Sequence, residues 1–238
     1  TTASNRTLKR DIIEKDDDDI DINETAAFYE GTLIDFPTEF AWLKERGSEL
    51  AKIEPNGTVE KVGDTLKLTY DGPTVDTIYF YIPEWTGAKN VEISGSGVSG
   101  TENYVISCPT EEISIGSIDT KINGKVISNT GDSSSNNSAE SSQILYNFYR
   151  CTDLYFGGNI NGTLFAPDAR AHSSWDSCEG HLSGALIAKS YRGSMEFGYR
   201  PYLGPVDILG VTSSYIIDAY KFGPDGTTPL ADAQIGLY

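Results

Sequence analysis

"NGTLFAPDAR" at Asn161–Arg170 is followed, after a polar interval, by "SGALIAKSYR" at Ser183–Arg192, and the second reads as a rewritten copy of the first. Aligned without gaps, they pair Gly162 with Gly184, Leu164 with Leu186, Phe165 with Ile187, Ala166 with Ala188 and Arg170 with Arg192, an offset of 22 residues. A third copy lies upstream: "QILYNFYR" at Gln143–Arg150 sets Ile144, Leu145, Tyr146 and Arg150 against the same columns at an offset of 20. Internal repeats of about 20 to 50 residues mark stacked architectures, whose units are too small to bury their apolar faces alone. The expectation is a β-solenoid from about Thr58 to Tyr202 in which Leu164 stacks between Ile144 and Leu186.

The same columns carry a chemical question. Arg150, Arg170 and Arg192 share one of them, and neighbouring strands lie about 4.8 Å apart, so a ladder of guanidinium groups is expected. Like charges at that spacing repel by about 0.9 kcal/mol per pair in water and about 3.5 at an effective dielectric near 20. Two readings account for such a ladder. Interleaved carboxylates such as Asp153, Asp168 or Glu196 neutralise it, or it grips a ligand with regularly spaced anionic groups, such as an acidic polysaccharide. The three arginines are therefore the candidate ligand-binding residues.

Composition narrows the function classes. The balance of 18 Lys plus Arg against 35 Asp plus Glu gives −17, which argues against nucleic acid or an anionic bilayer as a general partner. No run approaches the length of apolar residues needed to cross a membrane. With 24 Gly, 14 Tyr and 9 Phe against 1 Met, the chain reads as strand and turn. It begins at Thr1 rather than Met, so it reads as processed or cut.

The three cysteines, Cys108, Cys151 and Cys178, cannot close a complete disulfide framework. One bridge plus a free thiol and three buried thiols both remain open. His172 and His181 flank Cys178, but their spacing matches no usual zinc pattern, so no metal and no cofactor is expected.

Along the chain, "EKDDDDIDINE" at Glu14–Glu24 repels itself and reads as a weakly held arm over residues 1–30 rather than a calcium loop, since it lacks the glycine and terminal glutamate of one. "DFPTEFAWLKERGSELAKI" at Asp35–Ile53 is the one convincing helix. Asp35 is its cap, Pro37 lies in its first turn, and Phe36, Phe40, Leu43, Gly47 and Leu50 form one stripe. A glycine on that stripe costs about 1 kcal/mol relative to alanine, and close approach to a packed surface explains it.

Short alternating strands follow: "TLKLTY", "TIYFYI", "NVEISGSGV", "YVISC", "EEISIGSI" and "GKVIS". "SNTGDSSSNNSAESS" at Ser128–Ser142 reads as an exposed loop, and the prolines of "FGYRPYLGPV" end the pattern.

The succession of "DFPTEFAWLKERGSELA", "NVEISGSGV", "ILYNFYRCTDLYFGGNINGTLFAPDAR" and "GHLSGALIAKSYRGSMEF" resembles the choice-of-anchor A family, adhesive domains of bacterial surface proteins. The resemblance covers about Gly31 to Tyr202. It implies a mainly β fold, a right-handed β-helix-like solenoid over residues 31–205 with one long α-helix packed alongside, at the exposed end of a cell-wall-attached or otherwise anchored extracellular protein. The anchor is expected beyond Tyr238 or removed. The tail "AYKFGPDGTTPLADAQIGLY" resembles the opening strands of a prealbumin-like stalk repeat of the collagen-adhesin B type. Residues 206–238 are accordingly expected to begin a stalk module, and the resemblance nominates Lys221 for an isopeptide bond whose partner strand is missing.

Three function classes follow. The first is a non-catalytic adhesin domain binding a matrix protein or glycan of a host or neighbouring cell, with the following stalk domains as its covalent partners. The second is a polysaccharide-degrading β-helix enzyme using carboxylates such as Asp153, Asp168, Asp176 and Glu179. The third is an ice-binding or structural solenoid, which needs a regular file of small hydroxyl residues. The aligned columns hold Tyr146, Ala166, Ala188 and Asn147, Pro167, Lys189 instead. A thioester joining a cysteine to Gln143 is a further conceivable route to attachment.

Overall fold

The computed structural model describes residues 35–127, 139–173 and 180–205. The acidic segment, the stretches 128–138 and 174–179 (with Asp176, Cys178 and Glu179) and the tail 206–238 with Lys221 lie outside the described residues.

The helix forms where the sequence places its signals. α1 (Phe36–Leu50) starts at Asp35, whose carboxylate accepts hydrogen bonds from the Thr38 amide at 3.4 Å and the Thr38 hydroxyl at 2.8 Å. Leu43, Gly47 and Leu50 face inward, but Phe36 is 60% exposed. The inward stripe therefore starts a turn or two later than the apolar spacing predicts.

Fifteen strands follow among the described residues: β1 (Thr58–Val62), β2 (Thr65–Thr69), β3 (Thr77–Tyr81), β4 (Asn90–Ser94), β5 (Asn103–Ser107), β6 (Glu112–Ile115), β7 (Asp119–Ile122), β8 (Lys125–Ile127), β9 (Ile144–Asn147), β10 (Asp153–Phe156), β11 (Ile160–Asn161), β12 (Thr163–His172), β13 (His181–Gly184), β14 (Leu186–Arg192) and β15 (Glu196–Tyr199). The described residues are thus mainly β with one α-helix. Its sheets run β1-β2-β4-β7-β8, β3-β5-β9-β12-β10-β6 with β14 also on β12, and β11-β13-β15. They are parallel and curled, apart from the antiparallel β1-β2 and β7-β8 pairs at the margins of the first.

Period-2 alternation sends one face of all three sheets into a common core. Leu66, Leu68, Ile78, Phe80, Val91, Ile93, Tyr104, Ile106, Leu154, Phe156, Leu164 and Leu182 belong to it, each 5% exposed or less. Each such aliphatic or aromatic group gains about 1.5 to 3 kcal/mol on burial. At the centre, Trp85 meets Tyr146 edge-on at 6.3 Å and Phe148 at 5.5 Å, while Tyr146 and Phe148 stack at 5.9 Å.

A second, smaller core lies on the outer face of the seven-stranded sheet, where Leu50 packs with Val105, Leu145 and Phe165. Gly47 lets the helix approach: a Cβ there would come within 3.0 Å of Phe165 Cε1 and 3.1 Å of Asn147 Oδ1. Buried Asn147 donates its side-chain amide to the Gly47 carbonyl at 2.9 Å and to Ser107 Oγ at 3.1 Å.

The repeat is half right in register. Leu164 pairs with Leu186, Phe165 with Ile187 and Ala166 with Ala188, at the offset of 22. On its other side, however, Leu164 lies opposite Tyr146, and Ile144 stands against Tyr104. The upstream copy is displaced by two residues from the expected stacking. The Ser128–Ser142 interval is also not wholly an exposed loop. Its end enters a 3-10 turn, Ala139–Gln143, in which Ser141 and Ser142 are buried and Ser141 hydrogen-bonds the Asn161 side chain at 3.0 Å.

One buried charge organises the β4–β5 connection. Glu102 is 2% exposed. Its carboxylate accepts from the Ser99 amide at 3.0 and 3.1 Å, the Gly100 amide at 2.9 Å, the Tyr104 hydroxyl at 3.1 Å and the Ser99 hydroxyl. Burial opposes the charge, but these donors outweigh it and bring the pKa from 4.5 down to about 2. A depressed folded-state pKa contributes stability that is present above about pH 4.5 and is lost as the pH falls through about 2. The urea midpoint of the wild type should therefore fall more steeply than that of Glu102→Gln over this window. Parallel pH profiles would remove Glu102 as the source.

Candidate ligand-binding face

The outward positions of β6, β10, β12 and β14 form two rows of side chains. Strand pairing aligns Glu112, Asp153, Arg170 and Ser190 in the first, and Ser114, Tyr155, His172 and Arg192 in the second. Between the rows, Ile113, Leu154 and Ala171 point into the core. The alternation in "DLYF" and "ARAH" thus creates the face and anchors it at once. Four strands give it a width of roughly 14 Å.

Its charges are sorted. Carboxylates stand on β6 and β10, guanidinium groups on β12 and β14, and Tyr155 and His172 lie between them. Asp153 joins the halves: Arg170 Nη2 is 3.1 Å from Oδ2 and His172 Nε2 2.9 Å from Oδ1. The hydrogen bond from His172 and then that from Arg170 hold the Asp153 carboxyl below the usual aspartate range. The Tyr155 ring meets His172 edge-on at 5.4 Å. The arrangement offers a ligand an aromatic surface, an acceptor pair and cationic donors on a hydrogen-bonded sheet.

The arginine ladder expected from the repeats does not form. Arg170 and Arg192 share the face, but Arg170 is opposite Ser190 and Arg192 opposite His172, because the register slips between Ala166 and Arg170. β12 carries Pro167 there, which has no amide to donate to the ladder. Arg150 is elsewhere, in the exposed turn between β9 and β10. The neutralising carboxylate for Arg170 is Asp153, one of those expected.

The remaining candidates are dispersed. Asp168 pairs with Lys44 of α1, and Asp176 and Glu179 are outside the described residues. Cys108 and Cys151 are buried free thiols directed at the Thr110 hydroxyl (3.3 Å) and the Asp153 carbonyl (3.2 Å), and burial pushes both thiol pKa values up, that of Cys151 to about 12. Gln143 donates to the Gly100 carbonyl at 3.2 Å, so neither described thiol is engaged with it. His181 is buried near Glu196, 3.8 Å from its carboxylate, in a different pairing from that of His172 with Asp153. Among the described residues no group of three His, Cys, Asp or Glu side chains could hold a metal ion, and no helix is long and apolar enough to cross a membrane. Sequence reasoning missed Tyr155, Ser114 and Glu112. The signal was there in the strand alternation, but it acquires meaning only once the strands are placed side by side.

Comparison with known families matches residues 3–199 to the family described as "Putative Ice-binding-like adhesive domain". No curated protein and no solved structure matches the chain.

Proposed function

Because the chain belongs to this family of ice-binding-like adhesive domains, we propose that it serves as a non-catalytic adhesin module of a bacterial surface protein, binding a matrix protein or glycan outside the cell. The reading extends to the fold. The parallel pairing of successive strands, β2-β4-β7 and β3-β5-β9-β12-β14, fits a chain winding into a right-handed β-helix with α1 alongside, as the resemblance to choice-of-anchor A domains implies. A following stalk and a cell-wall or other anchor belong to the same reading.

The observation that carries the function is the sorted face of Glu112, Asp153, Tyr155, His172, Arg170 and Arg192 on a rigid sheet. Ligand contact through arginine suits carboxylate or sulfate groups, which accept two parallel hydrogen bonds from one guanidinium. Ice binding is less well supported. The outward row of the first sheet that crosses four strands at its centre reads Glu60, Lys67, Glu92, Lys121, a file of alternating charge, and the neighbouring row of small hydroxyls, Thr58, Thr69 and Ser94, spans only three strands.

A glycan and matrix-protein array with the isolated domain, followed by titration of the best ligand, tests the proposal. Arg170→Glu should weaken binding by about tenfold or more, since hydrogen bonds to charged groups contribute about 1.5 to 3 kcal/mol. Its melting temperature should barely move, because the Arg170 side chain is 77% exposed and an ion pair of this kind is worth about 0 to 1 kcal/mol. Unchanged affinity would remove this face as the site. Turnover of a polysaccharide on the array would replace the adhesin with an enzyme.

A further inference from the structure

Tyr155 does not stand straight off its strand. A Cβ on Gly157, the next outward position, would lie 3.2 Å from the Tyr155 hydroxyl oxygen and 3.6 Å from Cζ. The ring therefore leans along the strand over the bare glycine, with His172 of β12 edge-on to it at 5.4 Å and the residue 37% exposed. Ring surface laid along a sheet in this way suits an apolar partner that is itself flat.

The polar groups beside the ring ask for two further kinds of ligand atom. Asp153 takes one hydrogen bond on each oxygen, from Arg170 Nη2 at 3.1 Å and His172 Nε2 at 2.9 Å. A carboxylate has about four lone-pair sites, so both oxygens retain room for hydroxyl donors, and exposed Glu112 stands opposite on β6. Arg170, its side chain 77% exposed, meets Asp153 through Nη2 and keeps further N–H groups for an anion. A ligand that uses the whole face must bring an anion toward β12, hydroxyls toward β6 and β10, and an apolar ring face over Tyr155. An acidic peptide brings the anion but sets its other carboxylates against Asp153 and Glu112. The sugar units of a polyuronate bring all three.

Size points the same way. The two outward rows stand roughly 7 Å apart along the strands and span roughly 14 Å across them, so these groups occupy on the order of 100 Å², against about 800 Å² per partner in a stable protein interface. That area seats a short run of sugar rings and falls well short of a folded protein. We propose that the face binds a uronate-bearing glycan, with the C–H face of one sugar ring on Tyr155 and the carboxylate and hydroxyls of the adjoining unit on Arg170, Asp153 and Glu112. The assignment rests on the reading of this face as the ligand site and decides between its two kinds of ligand.

Calorimetric titration of the domain with a panel of galacturonate, mannuronate and glucuronate-containing oligosaccharides, their methyl esters and polyglutamate tests it. At least one uronate should bind, its methyl ester at least about tenfold more weakly, and polyglutamate more weakly still. Tyr155→Ala should lower the uronate affinity by about tenfold or more, while Tyr155→Phe stays within about threefold of the wild type. Tyr155→Leu covers the strand yet lacks a ring and should lose as much as Tyr155→Ala, so a folding defect of the alanine variant leaves the test intact. Polyglutamate binding as tightly as the uronates would overturn the glycan assignment, as would no uronate binding; a matrix protein held in an Arg170-dependent way would then keep the face as the ligand site. A uronate bound equally by the wild type, Arg170→Glu and Tyr155→Leu would place the site elsewhere and overturn both readings.

Discussion

Gly184→Ala is expected to lower the melting temperature by about 2 to 12 °C. A Cβ at this position would lie 1.9 Å from the Gly162 carbonyl oxygen and 2.6 Å from its carbon, and neither can turn aside as a side chain could. The neighbouring bonds hold the two levels at that distance: the Gly162 amide donates to the Ser183 carbonyl at 2.9 Å, and the Leu164 amide to the Ala185 carbonyl at 2.9 Å. Relieving the clash means stretching one of them. Overpacking of a rigid site costs about 1 to 3 kcal/mol and occasionally more, and in a domain of this size each kcal/mol moves the melting point by about 2 to 4 °C. Gly180 sits on Gly158 in the same way, with a Cβ only 2.2 Å from the Gly158 carbonyl carbon. Gly116 is the control, since nothing lies within 4 Å of a Cβ there, and Gly116→Ala should melt with the wild type. Coincident melting of Gly184→Ala and Gly116→Ala by circular dichroism would refute the close stacking.

The second large effect is expected at the aromatic centre. Phe148 is fully buried between Trp85 and Tyr146. Phe148→Ala removes both ring contacts and leaves a cavity that three sheets cannot collapse to fill, at a cost of about 3 to 5 kcal/mol. The urea midpoint should drop with little change in slope. Val126→Ala, on a side chain 59% exposed, should stay within about 0.5 kcal/mol of the wild type. A loss below about 1 kcal/mol for Phe148→Ala would mean that the cluster repacks.

These two sites also show what the sequence made legible. The pairing of Gly162 with Gly184 and of Leu164 with Leu186 could be read directly, because a stacked strand places the same residue type at the same level and the corner admits only glycine. The upstream copy was misread by two residues. Arg150 was matched to Arg170 by identity, yet the chain turns after Phe148, whereas β12 runs on to His172. A similar slip separates Arg170 from Arg192: two residues around Pro167 on β12 have no counterpart on β14. Columns inferred from likeness therefore hold along a straight strand and fail past a turn or bulge. The face built by Glu112, Asp153, Tyr155 and His172 was hidden for another reason. Its members come from strands whose adjacency, β6 beside β10 and β10 beside β12, is a property of topology and leaves no mark in local sequence.

The bond from Asn147 to the Gly47 carbonyl spans 100 residues, and it has a kinetic consequence. α1 comes early in the chain, yet the surface that receives Leu43, Gly47 and Leu50 is assembled from Val105, Leu145, Phe165 and Ile187. Until the last of these is in place the helix has nowhere to dock, and an isolated helix of 15 residues is marginal in water. Strand can be added to neighbouring strand over short loops, but the closing of the helix onto the sheet must await the far end of the domain, which makes it a late step with a long loop to close. During synthesis the apolar stripe of α1 therefore waits uncovered until those strands have been made, an interval in which the nascent chain is exposed to wrong association.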